Sequence, residues 1–132
     1  MTKLVKKEID LHMHTDRSDG RYPPRELVQL ARDVGLKTIA ITDHDTVAGV
    51  DEAVAAGEEL GVEVIPGIEL STTVEKGEIH MVGLWIDPSN QELLELTAKL
   101  RGGREWAAKK MLENLRSMGM DRLTFERVKE LA

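Results

Sequence analysis

The chain holds four histidines, His12, His14, His44 and His80, and each falls at or beside the end of an expected β-strand. Side chains two apart on a strand point the same way. His12 and His14 in "DLHMHTDRSDG" can therefore chelate one cation without bending the backbone. Asp10 shares their face and can accept a ring N–H from an imidazole. Asp19 follows in the loop, where Ser18-Asp19-Gly20 taken alone reads first as an ordinary turn. In "ITDHDT" an apolar strand ends at Asp43-His44-Asp45. Asp45 is most simply the N-cap of the next helix, whereas Asp43 and His44 are harder to explain as caps. Half-burying such groups costs several kcal/mol unless they are paired or bound to metal. Glu69 in "PGIEL" stands in an apolar frame, and His80 in "EIHMVGLW" carries weight only in company with the others.

Taken together these are imidazoles and carboxylates delivered by successive strand ends. Nitrogen and oxygen donors without sulfur suit Zn, Mn or Fe in more than one site. A carboxylate such as Glu69 bridging cations roughly 3.5–4 Å apart is a common device for activating water and clamping a phosphate.

These residues need a rim to converge on. Glu8–Met13, Thr38–Thr42 ("TIAIT"), Val62–Ile65 continuing to Leu70, and Glu78–Trp85 read as strands. Helices fit between the first three. One starts at Pro23-Pro24 with Leu27, Leu30, Ala31 and Val34 on its inner face and Gly35 at its exit. The other has Val50, Ala53, Val54 and Gly57 on its face and Gly61 at its stop. This β-α-β-α-β rhythm predicts parallel strands with helical crossovers. Ile9, Leu11 and Met13 are expected on one face of the first strand and Asp10, His12 and His14 on the other. From Asn90 the pattern turns helical, Gly102-Gly103 is expected to kink or weaken that helix, and a last helix starts at Thr124.

The 132 residues suffice for one ordinary domain, with 41% hydrophobic and 32% charged residues. The net charge of -6 argues against a non-specific nucleic-acid binder but not against a phosphate substrate, since bound cations reverse the local field. Without cysteine, disulfides and thiolate metal sites are excluded. Lys3, Lys6 and Lys7 precede no apolar run, and no stretch approaches the roughly 18 apolar residues of a membrane helix, so a cytoplasmic protein is the expectation. A short βα array leaves a strand edge to cover. The expectation is therefore an N-terminal portion of a longer protein, or a homodimer that covers the open edge.

The series "DLHMHTDRSDG", "ITDHDT", "PGIELST" and "HMVGLWID" resembles, in that order, the polymerase-and-histidinol-phosphatase (PHP) family, most closely its stand-alone phosphoesterases of the tryptophan-operon-associated type. The resemblance implies an α/β fold, a partial distorted (β/α)7 TIM-like barrel, with residues 1–88 forming its N-terminal half and 89–132 beginning a helical insertion. It implies up to three divalent ions, Mn, Zn or Fe. His12 and His14 would hold one, Glu69 would bridge it to a second held by His80, and Asp19 and His44 would hold the third. Asp10 and Asp43 would support the ligands, and Arg104 would contact phosphate, although it reads as readily as a solvated helix charge. The implied activity is hydrolysis of nucleotide phosphate esters, of the 3',5'-nucleoside bisphosphate phosphatase or 5'-3' oligoribonucleotide exonuclease type. A histidinol-phosphatase type and a non-catalytic metal-binding module are the alternatives. The family also draws ligands from its second half, including a final Asp-x-His, and here no histidine follows His80. Every metal site would lack at least one ligand, so the resemblance implies that activity needs those ligands supplied.

Overall fold

The computed structural model describes residues 8–75, 77–120 and 122–131. Lys3, Lys6, Lys7 and the end of the last expected helix at Ala132 lie outside them. Four strands and four helices follow in the order β1 (Ile9–Met13), α1 (Pro24–Val34), β2 (Thr38–Ile41), α2 (Val50–Leu60), β3 (Glu63–Val74), β4 (Gly77–Leu84), α3 (Gln91–Ser117) and α4 (Phe125–Leu131).

The strands form one sheet in the order β1-β2-β3-β4. β1 pairs parallel to β2 and β2 parallel to β3, so their C-terminal ends share one rim. β4 departs from the expected rhythm, because it folds back antiparallel on β3 in a hairpin, with Ser71 opposite His80 and Val74 opposite Gly77. Only residues 75–76 separate the two strands. A parallel return needs a crossover of about a dozen residues or more, so this spacing permits only a hairpin.

Ile39 and Ile41 of β2 meet Leu27, Val28 and Ala31 of α1 and Ala53 and Ala56 of α2, and this is the core. Pro24 opens α1 with its ring already at a helical φ, and Gly35 closes it in the left-handed conformation at φ 89°. The inner face of α1 is turned from the expected one: Val28 is fully buried, while Leu30 and Val34 are exposed. On β1, Ile9 and Leu11 are exposed, because among the described residues β1 is an edge strand and α1 packs over β2. α3 is one continuous helix through Gly102-Gly103, capped by Asn90, whose side chain accepts the Leu93 N–H at 2.9 Å. On α3, Leu96 and Met111 are exposed, as is Met118 at its C-terminal cap, while Thr97 and Leu112 are its buried residues.

Candidate metal centre

His12 lies on β1 and His14 just beyond its end; His44 lies just beyond β2 and bridges to Glu69 of β3. His80 sits mid-strand on β4 rather than at a strand end, and the hairpin register brings it to the rim beside Ser71. It is diagonal to Glu69 across the ladder, within reach of a carboxylate. All four imidazoles thus surround the buried Glu69. His12 Nε2 lies 2.7 Å and His14 Nε2 3.2 Å from Oε2, and His44 Nε2 lies 3.7 Å from the same oxygen. His80 Nδ1 takes the other oxygen at 3.1 Å. The rings form a chain, with centroids 5.1 Å apart for His12–His14, 4.7 Å for His14–His44 and 5.0 Å for His44–His80. Burial pushes the Glu69 carboxyl up, but the hydrogen bond with His12 and the nearby charges of His44, His12 and His14 outweigh it and hold it below the usual carboxylate value.

Asp19 extends the cluster outward, 3.3 Å from His14 Nδ1 and 3.6 Å from His44 Nε2. Asp43 is buried and touches no imidazole. Its carboxylate accepts the Thr15 N–H, the Thr15 hydroxyl and the Ser18 hydroxyl, each at 2.7 Å, and so shapes the loop that carries Asp19. Asp10 does not accept a ring N–H as expected. It is exposed and accepts the backbone N–H of His12 at 3.2 Å, because the β1 register shifts between Asp10 and Met13. Gly20 closes the loop where a Cβ would lie 2.2 Å from the His14 carbonyl oxygen, so no other residue fits.

The donor set fits divalent cations. Three groups, His12/His14/Glu69, His14/Asp19/His44 and His44/Glu69/His80, each present ligating atoms within 4.8 Å of one another. They share His14, His44 and Glu69, as adjoining sites would. His14 Nδ1 and His44 Nδ1 are buried without a hydrogen-bond partner; Asp19 is close to the first but poorly aligned. A buried ring nitrogen without a partner is costly, and a cation is a natural partner for its lone pair.

Beside this cluster opens a cleft of about 430 Å³, walled by Asp19, His44, Ser71, His80, Arg101 and Arg104. Arg104 is no free helix charge: its Nη2 meets Ser71 Oγ and lies 2.8 Å from Asp45 Oδ2. Asp45 is not an N-cap. α2 begins later, with Gly49 at the cap position and no side-chain cap. Asp45 is instead fully buried at φ 52°, and its Oδ1 accepts the Ser71 N–H at 2.8 Å. Ser71 and the buried role of Asp45 escape sequence reasoning. Neither carries a local signal in the sequence, where Asp45 reads as a helix cap.

The pattern described as "PHP domain" matches residues 10–101. A 5'-3' exoribonuclease of Haemophilus influenzae is 40% identical over 114 residues, 86% of this chain and 42% of that protein. A 3',5'-nucleoside bisphosphate phosphatase of Chromobacterium violaceum is 36% identical over 112 residues, 85% of this chain and 39% of that protein. A crystal structure from Bifidobacterium adolescentis, described as a metal-dependent phosphoesterase, superposes with a TM-score of 0.84 at 39% identity, covering 94% of this chain and 43% of that one. The chain thus spans about two fifths of the curated relatives it matches. With that likeness, the curled sheet and its helices are part of a TIM-like barrel.

Proposed function

The chain belongs to the PHP family, and from that premise we propose that it carries the metal site of a metal-dependent phosphoesterase acting on phosphate esters of nucleotides. The observation that carries this reading is Glu69, whose two oxygens meet all four imidazoles. A buried carboxylate with four imidazoles around it has the composition of a polynuclear site. His12, His14 and Glu69 would hold one ion, Glu69 and His80 with His44 a second, and Asp19, His14 and His44 a third. Such ions, Mn, Zn or Fe, supply Lewis-acid polarisation of a phosphoryl oxygen and activation of water.

The chain's own residues do the rest. Glu69 orients the rings. Asp43 holds the Thr15–Ser18 turn, and through it Asp19, at the edge of the cleft. Arg101 and Arg104 line the same cleft as Asp19, and their fixed positive charges suit a phosphate dianion. The names of the relatives support a nucleotide or short oligoribonucleotide as substrate. The segment from residue 89 onward is proposed to begin an inserted helical subdomain that brings these arginines to the site, and the protein to work in the cytoplasm.

The test is metal loading followed by hydrolysis. After incubation with Mn and dialysis, elemental analysis should find about one or more Mn per chain. In His14→Ala, which removes a donor shared by two groups, affinity should fall by roughly 100-fold or more. The protein should release phosphate from adenosine 3',5'-bisphosphate only when loaded. A wild-type protein that retains no metal and hydrolyses no phosphate ester would remove the basis of this reading.

A further inference from the structure

We propose that Asp45 is a positioning residue, which holds Arg104 by its carboxylate and Arg101 by its carbonyl so that both guanidinium groups face the cleft before a phosphate arrives. This rests on the phosphoesterase reading above.

Asp45 sits where three parts of the fold meet. Its backbone N–H bonds the Glu69 carbonyl at 2.9 Å, which ties it to the strand that carries the central carboxylate. Its Oδ1 takes the Ser71 N–H, and its own carbonyl accepts Arg101 Nη1 at 2.8 Å. Its Oδ2 lies 2.8 Å from Arg104 Nη2, yet the alignment is too poor for a hydrogen bond. Charge rather than a directed bond therefore makes this pair. The residue adopts the left-handed region, which Asp and Asn tolerate better than most residues, and that twist turns its side chain inward rather than onto a helix end.

A fully buried carboxylate is costly unless a cation accompanies it. A solvated turn or cap has no use for that arrangement, whereas a site that must hold arginines still does. Arg104 has half of its side chain exposed, and both of its contacts, to Asp45 and Ser71, use Nη2. Of the five N–H donors of a guanidinium, those on Nη1 and Nε stay available to a ligand. The arginine is thus anchored on one side and presented on the other, and the ordering entropy is met during folding rather than on binding.

Inorganic phosphate is the probe, titrated calorimetrically into the Mn-loaded protein. Asp45→Asn keeps the shape, the Ser71 contact and the tolerance for positive φ while removing the charge. It should weaken phosphate binding by roughly tenfold or more with Mn content unchanged. Arg104→Ala should weaken it similarly in the wild type but far less in the Asp45→Asn background, a coupling that a purely structural role would not produce. If Asp45→Asn fails to fold, Asp45→Ser, neutral and still an acceptor for the Ser71 N–H, takes its place in the same cycle. Unchanged phosphate affinity in the neutral variant, or effects of the two substitutions that simply add, would overturn the proposal. A wild type that holds no Mn or binds no phosphate would instead bring down the phosphoesterase reading and this inference with it.

Discussion

Asp43 shows how far one carboxylate can organise a loop. It receives three hydrogen bonds from Thr15 and Ser18 while almost wholly buried. Asp43→Ala would leave the Thr15 N–H and hydroxyl buried without an acceptor, at a cost of about 2–4 kcal/mol. A clear drop in Tm, together with weaker Mn binding because Asp19 loses its support, is the expected result. An unchanged Tm in differential scanning calorimetry would show that water replaces Asp43 and that the loop does not depend on it. The residues gathered at the rim were legible in the sequence because alternation on a strand fixes direction. His12 and His14 must share a side, and Glu69 must follow its own strand. Asp45 was not legible. Its role depends on a positive φ and on Arg101, a contact 56 residues along the chain, and no local pattern encodes either.

At the scale of elements, the type of each strand was legible but not the direction of β4, because a period of two carries no polarity. The short connection between β3 and β4 held that information. The helix through Gly102-Gly103 teaches the opposite lesson. Glycine lowers helix propensity by about 1 kcal/mol relative to alanine, but propensity alone does not break a helix that is capped at Asn90 and docked by Thr97 and Leu112. Nothing lies within 4 Å of a Cβ built at either glycine, so alanine meets open space there. Gly102→Ala and Gly103→Ala should each raise stability by about 0.5–1 kcal/mol, mostly by restricting the unfolded chain. Thermal melts would register this as a higher Tm with unchanged metal content. A loss of stability would mean that the helix needs to bend there.

The whole molecule presents a sheet whose strand order ends at β1 on one side. Ile9 is 59% exposed there, and Leu11 is exposed beside it. An exposed apolar edge offers unpaired N–H and C=O groups as a template for another strand. The homodimer that the sequence offered as one of two ways to cover the open edge is therefore proposed to form through β1, opposed by the repulsion of two chains each carrying a net charge of -6. Salt screens that repulsion, with a Debye length of about 8 Å at physiological ionic strength, while leaving apolar burial intact. Self-association measured by analytical ultracentrifugation should accordingly strengthen as salt rises, whereas a contact made by ion pairs would weaken. Ile9→Lys places on the edge the residue most used to keep strands from pairing, and it should return the protein to the monomer at all salt concentrations. Ile9 belongs to none of the three groups of ligating side chains, so Mn content should not change. A wild type that stays monomeric at high concentration and high salt would show that the β1 edge does not recruit a second copy.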